Sequence, residues 1–124
     1  MIRHQNPEQS AQEHREWQLV GPTHALGDKQ CLEFTLGTTT GFVVRANGRL
    51  RGFVNRCPHL GIELNWMPER FLDSGGSFIQ CATHGALFTL DTGECIAGPC
   101  AGGALTPLET RENDGQIEVR FSPE

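Results

Sequence analysis

Two short segments concentrate metal-ligating side chains. One is Cys57-Pro58-His59-Leu60-Gly61, the other Cys81-Ala82-Thr83-His84-Gly85. Each sets a thiolate donor and an imidazole donor within a few residues. Each ends on glycine, which admits positive φ and lets backbone N–H groups approach a bound group. Pro58 stiffens the first segment and keeps Asn55-Arg56-Cys57 extended. Cys57, His59, Cys81 and His84 are therefore candidate ligands, and such a set suits two chemistries. One is a structural zinc ion, which accepts two Cys and two His. The other is a two-iron, two-sulfide cluster in which two His replace two Cys on one iron. Zinc sites of that composition usually pair Cys with Cys and His with His along the chain. Here each segment holds one of each. Two loops gripping a two-iron cluster from opposite sides need that distribution, since each must supply both irons. The cluster is the favoured reading, with zinc as the alternative.

The elements that must position these loops read as short strands. Trp17–Val20 is an apolar run closed by Gly21-Pro22, and Cys31–Leu36 alternates in polarity. Gly41–Ala46 and Leu50–Asn55 flank Asn47-Gly48, a strong hairpin signal. Ser77–Gln80 and Ala86–Leu90 bracket the second ligand segment, and Asp91-Thr92-Gly93 reads as a turn before Glu94. Ala104–Arg111 and Gln116–Phe121 flank Asn113-Asp114-Gly115, a second hairpin. About eight short strands with frequent turns predict an all-β fold, a small antiparallel sandwich or barrel.

The chain has 124 residues, which fits one domain: a flexible polar tail over residues 1–15 and a single domain over residues 16–124. The formal charge of −5 gives a nucleic-acid partner little support. No apolar run approaches the roughly 20 residues of a membrane helix, and the first sixteen residues lack the apolar segment of a signal peptide. A soluble, cytoplasmic protein without membrane partners is the expectation. Five cysteines are an odd number and argue against a pure disulfide framework. In a reducing compartment, clustered Cys and His read as metal ligands.

The C-x-H-x-G and C-x-x-H-G segments resemble those of the Rieske family. The likeness continues through Phe88, the Asp91-Thr92-Gly93 turn and Gly98-Pro99, which resembles the family's third, proline-containing loop. It covers about residues 16–121. The resemblance implies the Rieske fold, with a cluster-binding subdomain over about residues 55–101, and one [2Fe–2S] cluster per chain. Cys57 and Cys81 would hold the inner iron; His59 and His84 would hold the outer iron near the surface. The added electron would localise on the His-ligated iron, and the exposed imidazole edges would lead to a partner. Two neutral ligands in place of two thiolates raise the potential above that of four-Cys clusters.

The family's high-potential branch carries a disulfide between the ligand loops, but the corresponding positions here are Ile62 and Thr83. That branch also places hydrogen-bonding Ser and Tyr where Ala86 and Phe88 stand, and neither of these can donate. The resemblance therefore implies the low-potential branch. An oxygenase catalytic subunit would need a second iron site with a 2-His-1-carboxylate set. The other histidines are His4, His14 and His24 alone. The expectation is a ferredoxin-like one-electron carrier, itself no enzyme, between a flavin reductase and an oxygenase. The alternative is a small Rieske subunit of a larger reductase, such as nitrite reductase.

The remaining singular residues read as structural. Cys31 is expected to be a buried inert thiol, and Cys95 and Cys100 two reduced, packed thiols in preference to the alternative of a redox-responsive pair. Trp17 is expected to pack the first strand on the core. Arg45, Arg49, Arg51 and Arg56 are expected to form a solvated hairpin edge. Trp66, Met67 and Phe71 cluster between the ligand segments, either folding over the cluster or forming an exposed docking patch.

Overall fold

The computed structural model describes residues 16–58, 63–65, 71–82, 85–99 and 102–121. Among them are nine strands: β1 (Gln18–Pro22), β2 (Gln30–Leu36), β3 (Thr39–Ala46), β4 (Arg49–Val54), β5 (Phe78–Gln80), β6 (Leu87–Thr89), β7 (Cys95–Ala97), β8 (Pro107–Asn113) and β9 (Gln116–Phe121). One 3₁₀ turn, Thr23–Ala25, follows β1. No helix among the described residues is long and apolar enough to cross a membrane.

The strands form two antiparallel sheets. The larger has the order β1-β9-β8-β4-β3-β2, and the smaller has the order β5-β6-β7. Both expected hairpins are present and their turns explain the register. Asn47 and Gly48 each take positive φ (55° and 76°) between the paired Ala46 and Arg49. Asp114 and Gly115 do the same (56° and 74°) between Asn113 and Gln116. Two positive-φ residues make the turn whose twist matches the flanking strands. The sequence reading missed β7, which follows the Asp91-Thr92-Gly93 turn.

Strand β3 of the large sheet is buried on both faces. Along β3, Phe42 and Val44 enter one core while Val43 points into another, so Gly41–Val44 is buried without a break. Val43, Leu26, Ile117 and Val119 fill the smaller core, with Val20, Leu32, Phe34, Leu36 and Leu50 packed against it. The sheet's two edges curl together there: a Cβ on Gly21 of β1 would lie 3.8 Å from Leu32 of β2. The result is a nearly closed barrel, the second of the two shapes expected. The larger core joins the other face of β3 and β4 to the small sheet through Phe42, Phe53, Phe71, Ile79 and Phe88. Gly93, in the turn before β7, lets that turn close on the core; a Cβ there would sit 2.8 Å from the Phe53 ring.

Two surface expectations change. Trp17 is half-buried, but on the outer face, with the Arg111 and Arg120 guanidiniums 4.2 and 4.3 Å from its ring. Cation–π attraction, rather than core packing, fixes this end of β1. Three of the four hairpin arginines are paired instead of merely solvated. Arg51 and Arg49 reach Asp91 at 2.7 and 3.6 Å, tying the β3–β4 hairpin to the small sheet's turn.

Arg45 grips Glu112 with two hydrogen bonds of 3.1 and 2.8 Å, and its Nε donates to the Leu26 carbonyl. These hydrogen bonds hold the Glu112 carboxyl below its ordinary range and the Arg45 guanidinium above its own. Arg45 stays protonated at any accessible pH, so the pH dependence belongs to Glu112. A depressed carboxyl contributes stability that is fully present above its unfolded value, about 4.3, and is lost as pH falls through the folded value. Water screens the pair, so its worth is at most about 1 kcal/mol. Urea melts of Glu112→Gln should show a stability deficit that is constant above roughly pH 5 and shrinks as pH drops below about 4. A deficit independent of pH would contradict the pair's role.

Candidate metal centre

The two cysteines of the ligand segments are delivered by strand ends. Cys57 is the third residue after β4, and Cys81 directly follows β5. Both thiols are wholly buried, both belong to the larger core, and neither is in a disulfide. The loop after Cys81 is tight. The Cys81 N–H donates to the Ala86 carbonyl at 2.9 Å, and the Gly85 N–H returns to the Cys81 carbonyl at 2.8 Å. Gly85 takes φ +72° there, the conformation its position after the motif foretold.

The two cysteine loops touch through Leu64. The Ala82 N–H donates to the Leu64 carbonyl at 2.7 Å, and the Leu64 N–H donates to Asn55 Oδ1 at 2.8 Å. A third loop closes on the second. Gly98 (φ +99°) lies so near Ala86 that a Cβ on it would meet the Ala86 Cα at 2.8 Å. Any larger residue at position 98 would push this loop, and Pro99 with it, away from the site. Ala86 and Phe88 are wholly buried beside it.

His59 and His84 lie outside the described residues, as do Ile62, Thr83, Trp66 and Met67. Two buried thiols at the ends of facing loops, within one apolar core, suit thiolate ligation of an enclosed iron. A metal also offsets the cost of ionised sulfur in such a setting.

A family model for the Rieske [2Fe-2S] domain matches residues 16–110. The chain belongs to this family. Its cofactor is a Rieske-type [2Fe–2S] cluster, and its chemistry is electron transfer. The Rieske chain is similar to the cholesterol 7-desaturase of Caenorhabditis elegans, with 29% identity over 90 residues. That match takes in 72% of this chain and 20% of the desaturase, so the chain spans about a fifth of its curated relative. Among solved structures it is similar to a chain of the complex of reduced oxygenase and oxidized ferredoxin in carbazole 1,9a-dioxygenase. There the TM-score is 0.70 at 20% identity, over 87% of this chain and 95% of that one. It is also similar to the terminal oxygenase of carbazole 1,9a-dioxygenase from Nocardioides aromaticivorans IC177, with a TM-score of 0.75 at 19% identity, over 89% of this chain and 31% of that one. A third likeness is to the quaternary ammonium Rieske monooxygenase CntA, with a TM-score of 0.77 at 22% identity, over 93% of this chain and 35% of that one. At these identities the structural likenesses speak for the fold.

The other cysteines divide. Cys31, on β2, is buried as expected. Cys95 is disulfide-bonded, which corrects the expectation of two reduced thiols at Cys95 and Cys100; Cys100 lies outside the described residues. Motif reading favoured reduced thiols because it assumed a reducing compartment. Phe71 is wholly buried, so it does not contribute to an exposed docking patch. Sequence reasoning also passed over Asn55 and Leu64, which carry the contact between the ligand loops.

Proposed function

We propose that Cys57, His59, Cys81 and His84 ligate the cluster, and that the protein is a one-electron carrier taking electrons from a flavin reductase and passing them to an oxygenase. The observation that carries this reading is the pair of wholly buried cysteines in one core, on loops joined by the Ala82–Leu64 hydrogen bond. The cluster, when bound, supplies the one-electron chemistry. The chain holds it through two thiolates, shuts water from their side of it, and leaves Pro58, Gly85 and Pro99 exposed around the site. Coverage of nearly the whole of one chain in the oxygenase–ferredoxin complex supports the carrier reading.

A coupled assay with NADH, a flavin-dependent ferredoxin reductase and cytochrome c tests it. Cytochrome reduction should require the protein, persist over many turnovers, and vanish with Cys81→Ala. The desaturase match favours a second reading, in which the domain serves inside a larger oxygenase. An intact cluster that the reductase cannot turn over would select that reading.

Ala86 and Phe88 support a place in the low-potential branch, because neither side chain can donate a hydrogen bond to the cluster or its cysteines. For a one-electron couple, about 59 mV corresponds to about 1.4 kcal/mol, the order of one hydrogen bond. Ala86→Ser with Phe88→Tyr should therefore raise the midpoint potential by about 50–150 mV. Protein-film voltammetry showing no change, or a fall, would count against that placement.

A further inference from the structure

Among the described residues, Asn55 is the buried polar side chain, at 4% exposure. It stands just past β4 and two residues before Cys57. Its backbone N–H donates to the Thr40 carbonyl at 2.9 Å, which fixes its Cα to the large sheet. Its amide is used in both senses. Oδ1 accepts from the Leu64 N–H at 2.8 Å, and Nδ2 donates to Asn65 Oδ1 at 2.9 Å. Because a backbone N–H can only donate, the Asn55 amide has one orientation, and that sets Asn65 in turn. Asn65 Nδ2 then donates to Glu33 Oε1 on β2 at 3.2 Å.

This relay connects the large sheet to both cysteine loops. From Asn55 Oδ1, the Leu64 N–H and carbonyl lead to the Ala82 N–H, adjacent to Cys81. The same segment is held on its other side by Thr40 Oγ1, which donates to Glu63 at 2.6 Å. Leu64 itself is wholly buried in the core that contains both cysteines. A shift of the Leu64 backbone would move the second cysteine loop relative to the first.

We propose that Asn55 is a positioning residue that holds the two cysteine loops in register through Leu64. Its requirement is a donor and an acceptor on one buried side chain. The inference rests on the ligand assignment proposed above and adds what sets the spacing between the loops.

The test inverts the polarity of the relay. In Asn55→Asp the carboxylate still accepts from Leu64 but faces the Asn65 oxygen with a second acceptor. If Asn65 turns over to donate, its oxygen meets Glu33 instead. Adding Glu33→Gln supplies a donor there, so the bonds of Asn65 to positions 55 and 33 form with the opposite sense while the Leu64 N–H still donates to position 55. In the holoprotein, Asn55→Asp should lose cluster to a ferrous chelator about tenfold faster than wild type, the scale of one buried hydrogen bond. Amide hydrogen exchange at Leu64 and Ala82 should rise by a similar factor, with Val119 on β9 unchanged. Asn55→Asp with Glu33→Gln should return both rates to near the wild-type values, and Glu33→Gln alone should leave them there. Asn55→Ala should lose cluster as fast as Asn55→Asp and gain nothing from Glu33→Gln. Wild-type rates in Asn55→Asp, or no rescue in the double variant, would overturn the inference. A wild-type protein lacking the paramagnetic signal of a reduced cluster would instead overturn the ligand assignment. The exchange rates at Leu64 and Ala82 would still decide the relay.

Discussion

Replacing Cys57 or Cys81 by Ala is expected to give a colourless protein with no paramagnetic signal after dithionite reduction, and His59→Ala and His84→Ala are expected to do the same. The four proposed side chains together would hold the cluster, so one missing donor would leave it incompletely held and open to water. The cysteines have a second reason to be indispensable. Both are wholly buried, and no other thiol lies on the ligand loops among the described residues. Cys31→Ser and Cys95→Ser should keep visible absorption and signal at full occupancy. Cys31 sits on β2, and Cys95 is already joined in a disulfide. Iron content, absorption and electron paramagnetic resonance on the six variants decide the matter together. A coloured Cys57→Ala beside a bleached Cys31→Ser would show that the ligands had been misplaced. A colourless wild type binding one zinc would restore the alternative that the residue types first left open.

Much of the scaffold was legible because local chemistry and global fold agree in it. Asn47-Gly48 and Asp114-Gly115 dictate their turns by backbone sterics, so the two hairpins and their registers follow from four residues. The two Cys-His-Gly motifs stand out as candidate ligand segments for a similar reason: thiolate, imidazole and glycine at short spacing have few uses in common. What stayed hidden depends on distant partners. Trp17 carries no sign that two arginines about a hundred residues onward will lie against its ring. The disulfide at Cys95 has no local signal, because pairing is set by how two thiols are placed in the fold. Asn55 is an intermediate case. Alternation along β4 puts it on the face of Phe53, which is buried in the larger core. A polar amide at an inward position is a visible irregularity, and it marks the contact between the ligand loops.

Phe71→Ala is expected to be the most damaging substitution that leaves all four proposed ligands in place. The Phe71 ring stacks on Phe42 with centroids 4.0 Å apart and planes 11° from parallel, and Phe42 in turn meets Phe53 at 5.9 Å. All three are buried in the core that contains Cys57 and Cys81. The Phe71 backbone also matters, since its carbonyl accepts from the Gln80 N–H one residue before Cys81. Removing a wholly buried phenyl group costs about 3–5 kcal/mol through lost transfer energy and the cavity left behind. That is a large share of the roughly 5–15 kcal/mol that holds a domain together. For a chain of this size the melting temperature should fall by roughly 10–20 °C. Phe71→Leu keeps most of the volume and should cost clearly less, so the pair separates packing from any special need for an aromatic ring. The position also decides between two roles for this part of the chain. A docking residue would slow transfer to a partner while leaving stability intact. A core residue lowers the melting temperature and speeds cluster loss, and leaves partner transfer normal in those molecules that retain the cluster. Thermal melts beside stopped-flow transfer on Phe71→Leu should give the second pattern, because the ring is wholly enclosed between the large sheet and the strand that delivers Cys81.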